Sequence, residues 1–156
     1  MAREQGVKQV ADNRKARHEY FLDETVEAGM VLLGSEVKSL REGRGNLKDG
    51  YARISRHGQI DLVNVHISPW THTHSDLPDP VRTRRLLLHR REIDRLGGKT
   101  RERGITLIPT RIYFKNGKAK VEIALARGKE KQDKRQDERT SEAKRDIERA
   151  MKSSRR

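Results

Sequence analysis

The sequence predicts a mainly β protein, a small closed or partly closed antiparallel barrel with inserted helices and a charged tail. Three observations carry that prediction. Apolar residues alternate with period two in several short segments, as in strands buried on one face. Asn116-Gly117 sits between the two clearest of these segments, the strongest short hairpin signal. And 46% of residues 19–128 are apolar or glycine, against 4 of the last 28, so one ordinary core lies between poorly apolar flanks.

The elements follow in chain order. Residues 1–18 show no clear period, and residues 1–12 of them predict a flexible N-terminal arm. Val26, Ala28, Met30 and Leu32 alternate with Thr25, Glu27, Gly29 and Val31, and Tyr20 and Leu22 extend the parity upstream. Residues 35–42 predict a helix with Ser35 as N-cap and Gly43 as stop. Residues 51–56 and 59–67 predict two strands joined at His57-Gly58. Their apolar parity switches between Leu62 and Val63, which predicts a bulge. Residues 68–80 hold three prolines and two histidines and predict a mobile loop. Residues 90–96 predict a helix with Ile93 and Leu96 inward, ended by Gly97-Gly98, with one more turn over 99–103. Residues 105–114 and 118–127 are the hairpin strands, and Pro109 predicts a bulge, edge or strand start. The domain thus spans 13–128. The tail, 129–156, has 11 positive and 7 negative residues and predicts a disordered segment in the free protein. Ala143, Ile147, Ala150 and Met151 form one narrow helical stripe, a contact face if the tail folds on an anionic partner.

Composition excludes several classes. The longest apolar runs, Met30–Leu33 and Leu86–Leu88, are far too short for a spanning helix. The chain has no cysteine, which excludes disulfides and thiolate metal sites and favours a cytoplasmic protein. The charge is +13, from 36 Lys+Arg against 23 Asp+Glu, and a polyanion, nucleic acid first, is the expected partner. Basic runs precede the first predicted strand (Arg14, Lys15, Arg17, His18), surround Leu86 to Leu88 (Arg82, Arg84, Arg85, Arg90, Arg91) and decorate the hairpin (Lys115, Lys118, Lys120). Aromatics are 4%, too few for a sheet that stacks many bases.

Catalytic and cofactor patterns fail on inspection. His72-x-His74 beside Trp70 lacks a third ligand. Gly98-Lys99-Thr100 resembles the end of a phosphate loop, but Ile93 stands where its first glycine belongs. His18-Glu19, or His57 with Asp61, has the composition of a general-base pair, but no nucleophile elbow or carboxylate dyad accompanies it. The sequence predicts no enzyme, metal or cofactor.

Several blocks of sequence resemble one family. Asn13-Arg14-Lys15-Ala16-Arg17-His18-Glu19-Tyr20-Phe21, Glu27-Ala28-Gly29 and Gly34-Ser35-Glu36-Val37-Lys38-Ser39-Leu40-Arg41 are similar to blocks of the small protein B (SmpB) family. So are Asp79-Pro80-x-Arg82-x-Arg84-Arg85-Leu86-Leu87-Leu88, Gly128-Lys129 and Asp133-Lys134-Arg135. Together they cover about residues 12–152 in order. The resemblance implies an oligonucleotide-binding (OB) barrel with about three helices. It implies binding to the tRNA-like domain of transfer-messenger RNA (tmRNA, or SsrA), with the protein body standing in for a missing anticodon arm.

By motif position it implies RNA contacts from Asn13, Lys15, Arg17, His18, Glu27, Lys38, Arg41, Arg84, Leu87 and Lys120. It implies a ribosome-binding tail that carries Gly128, Lys129, Asp133, Lys134, Arg135, Arg149, Met151 and Lys152. The resemblance further implies that this tail becomes helical in the decoding centre and empty mRNA channel of a stalled ribosome. The expected function is trans-translation, in which alanyl-tmRNA enters the A site with elongation factor Tu to rescue the ribosome and tag the nascent peptide. Gln132, Ala143 and Ala150 stand where the family often carries larger or aromatic residues, which shifts tail binding towards charge. Two rivals remain: a general RNA-binding or ribosomal protein with no tmRNA preference, and a nuclease.

Overall fold

The computed structural model describes residues 6–70, 72 and 77–154. The chain order is β1 (Val7–Asp12), α1 (Arg14–Glu19), β2 (Tyr20–Met30), α2 (Gly34–Arg41), β3 (Gly45–Asn46), β4 (Tyr51–Ile54) and β5 (Ile60–Val63). It continues with β6 (His66–Ile67), β7 (Arg84–Leu87), α3 (Arg90–Thr100), β8 (Ile105–Lys115), β9 (Lys118–Gly128) and α4 (Lys131–Ser154). No helix among the described residues is long and apolar enough to cross a membrane.

Seven strands form one antiparallel sheet in the order β1-β8-β4-β5-β7-β2-β9, and β9 also pairs with β8. The long strand β8 therefore has three neighbours. It meets β4 through Ala52↔Leu107, β1 through its C-terminal half, and β9 along its whole other edge. The hairpin is built as predicted: Asn116 and Gly117 have φ of 52° and 77°, the pair of positive values a type I′ turn demands. Pro109 marks a bulge, because the register shifts between Pro109 and Arg111. Lacking an N–H, proline is tolerated where the ladder is already broken.

The alternation in β2 ends in one core. Ala28 is buried and Val26 and Met30 pack against it, together with Leu62, Leu86, Val121, Ile123 and Leu125. Leu40 of α2, and Ile93 and Leu96 of α3, complete the same cluster. Each fully buried Leu or Ile contributes about 1.5–3 kcal/mol relative to exposure.

Five expectations need correction. Residues 7–12 of the predicted flexible arm form β1, since the C-terminal half of β8 extends past β4 and leaves an edge to pair; residues 1–5 lie outside the described residues. The segment 14–19, to which the sequence pattern assigns no element, is helical, and the Asn13 side chain caps it by accepting from the Ala16 N–H at 3.0 Å. Helix α2 starts at Gly34, not after Ser35: the Glu36 carboxylate reaches back to the Leu33 N–H at 2.9 Å, which leaves Ser35 inside the helix. Helix α3 runs through Gly97-Gly98 to Thr100. The intrinsic cost of about 1 kcal/mol per glycine is offset by burial of Leu96 and by Lys99 bonding to Glu24 at 2.6 Å. Finally, the parity switch near Val63 is a strand end rather than a bulge. Asn64 turns to φ 62°, and the chain leaves β5 to form β6, paired with β3.

The tail, expected to be disordered, is a helix of 24 residues. Of the 68–80 loop, His74 lies outside the described residues, and His72 packs edge-on against Trp70 with ring centroids 5.0 Å apart.

Candidate nucleic-acid interface

The pairing registers align four strands across one outward face. Tyr113 of β8 pairs with Lys120 of β9, Lys120 with Gly29 of β2, and Gly29 with Leu87 of β7. In the next row Arg111 pairs with Glu122, and Glu122 with Glu27. Three of the expected RNA contacts, Glu27, Leu87 and Lys120, therefore converge. They line a groove of about 720 Å³ together with Thr25, Val26, His89, Glu92 and Arg95. Leu87 is 57% exposed, a large apolar side chain set against a cation and a carboxylate. Gly29 makes the floor. A Cβ there would lie 3.4 Å from Leu87 Cβ and 3.7 Å from Lys120 Nζ, so any larger side chain would fill the space between them.

Glu27 is held on this face. The Tyr113 hydroxyl donates to its Oε2, and Lys115 Nζ lies 3.6 Å from the same oxygen. The Tyr113 bond holds the carboxyl below its usual range; partial burial opposes this, and Lys115 and Lys120 reinforce it. At neutral pH Glu27 is an anionic acceptor among cations, suited to a base amino group or a ribose hydroxyl.

The basic run before β2 lies elsewhere. Helix α1 enters β2 at Tyr20, about nine residues from Gly29, or roughly 30 Å of strand. Its Lys15, Arg17 and His18 are half-buried or exposed. Arg17 forms a bidentate pair with Asp12 at 2.7 and 2.9 Å, and Lys15 lies 3.4 Å from Asp49. Lys38 and Arg41 form a third group on α2. Lys38 Nζ is 6.0 Å from the Trp70 ring centre and Arg41 Cζ is 5.7 Å from that of Phe114.

Two expected contact residues are interior. Asn13 is 3% exposed. Its Nδ2 donates to the Pro109 carbonyl at 2.8 Å and the Leu47 carbonyl at 3.2 Å, so it joins the α1 start to the β8 bulge. Arg84 has no exposed surface. Its guanidinium lies 2.6 Å from Glu36 and donates to the Val65 and Pro80 carbonyls at 2.7 and 3.0 Å. Burial raises the Glu36 pKa, but bonds from Arg82, the Leu33 N–H and Arg84 outweigh it, and the net direction is down. Burial pulls the Arg84 pKa down; an arginine starts so high that it stays charged. The side chains of Asn13 and Arg84 are both buried in this structure. Their place is to fix α1 and α2, which carry the exposed cations. A short polar or charged residue inside a family motif looks the same in sequence whether it faces RNA or the interior.

The tail begins at the body. The Lys129 N–H donates to the Glu19 carbonyl at 2.8 Å, and its Nζ to the Arg17 carbonyl at 3.1 Å. The same Nζ pairs with Asp137 and lies 5.1 Å from the Phe21 ring centre. His18 lies 3.5 Å from Glu138. Gly128, Arg135, Arg149, Met151 and Lys152 are exposed, and Asp133 and Lys134 half-buried. The Asp133 carboxylate accepts from the Glu130 N–H at 3.3 Å.

Sequence reasoning missed Tyr113. The signal was present: Arg111-x-Tyr113-x-Lys115 puts an aromatic between two cations on the face opposite Ile112 and Phe114.

A strongly basic β-sheet protein, with cationic helices and a groove combining a lysine, a carboxylate and an exposed leucine, is a nucleic-acid-binding protein. Comparison with known proteins narrows the class. The family profile described as "SmpB protein" matches residues 10–153. The SsrA-binding protein of Geobacillus thermodenitrificans is 55% identical over 144 residues, 92% of each chain. That of Listeria welshimeri is 57% identical over 145 residues, 93% of this chain and 94% of its own. That of Desulforudis audaxviator is 57% identical over 150 residues, 96% and 97% of the two. A chain in the solved structure described as "tmRNA-SmpB: a journey to the center of the bacterial ribosome" superposes with a TM-score of 0.67 at 46% identity. That match covers 78% of this chain and 85% of the other. The chain belongs to the SmpB family.

Proposed function

We infer that this chain binds tmRNA and serves trans-translation, the rescue of stalled ribosomes with tagging of the nascent peptide. One observation carries the reading: in a member of the SmpB family, Glu27, Leu87 and Lys120 come from three strands to line one outward groove. The body acts as an OB-type barrel, a description supported by strand pairings that leave β8 through β4 and return to it through β9. The groove meets the tRNA-like domain, with Leu87 against a base and Lys120 on a phosphate. Lys15, Arg17 and His18 on α1, and Lys38 and Arg41 on α2, add backbone contacts.

The tail helix enters the decoding centre and the vacant mRNA channel, carrying Asp133, Lys134, Arg135, Arg149, Met151 and Lys152. Elongation factor Tu is met indirectly, through alanyl-tmRNA. The protein works in the cytoplasm as a binder, with no catalytic residue and no cofactor of its own.

The test is competition. Labelled tmRNA bound to the protein is challenged with unlabelled tmRNA or bulk tRNA at moderate salt. Non-specific binding weakens steeply with salt and has no preference. Bulk tRNA competing as well as tmRNA would favour a general RNA-binding protein instead.

A further inference from the structure

Tyr113 sits near the C-terminal end of β8 and is 4% exposed, yet it belongs to the outward row of the sheet, between Arg111 and Lys115. The Arg111 guanidinium covers its ring, with Cζ 4.8 Å from the centre, and Arg111 is itself held by Glu122 at 2.7 Å. The ring is thus clamped, and its hydroxyl has one direction to point. It donates to Glu27 Oε2, the oxygen that Lys115 also approaches. Both partners engage Oε2, and among the described residues no side chain donates a hydrogen bond to Oε1. A carboxylate pinned by one oxygen presents the other in a fixed direction, so an incoming N–H or O–H meets a pre-aimed acceptor.

We propose that Tyr113 is a positioning residue for RNA recognition, touching no nucleotide itself and aiming the Glu27 carboxylate at one hydrogen-bond donor of the RNA. The proposal rests on Glu27 being an RNA contact. Burial and the bond to Glu27 push the phenol pKa up, so Tyr113 remains a donor at any physiological pH.

Three variants test it: Tyr113→Phe, Glu27→Gln and the double change, each titrated with full-length tmRNA after a melting curve shows that it folds. Tyr113→Phe keeps the clamped ring and removes only the hydroxyl. It should weaken binding on the order of fivefold, as loss of one hydrogen bond does. In the Glu27→Gln background it should cost nothing further, because the group it aims is already changed.

A pH series adds a second readout. The groups around Glu27 are Tyr113 and Lys115 from β8, Lys120 and Glu122 from β9, and His89, Glu92 and Arg95 at and along the start of α3, which line the groove. Without its main depressing partner, Glu27 takes up a proton at higher pH. From about pH 7 to about pH 5, binding by Tyr113→Phe should therefore fall relative to that of the unaltered protein, in which His89 is present equally. Two losses that add, or a pH profile like that of the unaltered protein, would overturn the positioning role and leave Glu27 an RNA contact. Unchanged binding by Glu27→Gln would overturn both.

Discussion

Between Tyr20 and Gly128 the chain buries a side chain on nearly every strand and joins them in one core. Between Lys131 and Ser154 every described side chain is exposed or half-buried, and Ile147 and Met151 are 58% and 59% exposed. The two regions are regular for different reasons. The sheet is fixed by apolar area removed from water. The tail helix has its own backbone bonds and an anchored first stretch, where Lys129 meets Asp137 and His18 lies near Glu138. A polar helix with so little packing has marginal stability in water. The body is therefore a shape the protein carries, and the tail is a shape its surroundings can reinforce.

The largest break in that contrast is Glu36→Ala. It strands the buried Arg84 charge and should cost about 3–5 kcal/mol, read as a lower urea midpoint. The sign with pH follows from Glu36, whose pKa is depressed in the folded state. Its contribution is present above the unfolded carboxyl pKa and is lost as pH falls through the folded value. The milder Glu36→Gln should therefore flatten the acid side of the stability curve.

Next is Asn13→Ala, which takes the Asn13 donor from the Pro109 and Leu47 carbonyls, the latter keeping the Gly50 N–H, and removes the acceptor of the Ala16 N–H. It should cost about 1–3 kcal/mol and speed hydrogen exchange at the start of α1. The smallest effect belongs to the tail. Asp137→Asn with Glu138→Gln removes one exposed contact, to His18, and takes the Asp137 charge from Lys129, whose Nζ keeps the Arg17 carbonyl. It should lower the stability of the body by about 1 kcal/mol or less in a urea titration, while the first turns of α4 exchange faster. A tail change as costly as Glu36→Ala would erase the contrast.

How much of this was legible depends on the signal each element leaves. The β8–β9 hairpin was fully legible, since Asn116-Gly117 and strict alternation state the same thing twice. Strand β1 was not, because an edge strand paired only to β8 needs no sharp apolar period. Helix α4 was misread, because its composition is that of a solvated segment and its anchor depends on Lys129 and Asp137 meeting. Within the site, the family motifs named Glu27, Leu87 and Lys120, and registers across three strands were needed to show them side by side. The motifs also named Asn13 and Arg84, which serve from the interior. Tyr113 was hidden for the opposite reason: it works through Glu27, and only the fold brings the two together.

The most direct test of the division between body and tail is a chain ended after Glu130. That cut keeps the Lys129 contacts to Glu19 and Arg17 and removes the helix. Measured together, tmRNA affinity and the urea midpoint should stay close to those of the full chain, while peptidyl transfer to alanyl-tmRNA on stalled ribosomes is abolished. A truncated chain that loses its affinity for tmRNA, or one that still supports transfer, would contradict the account.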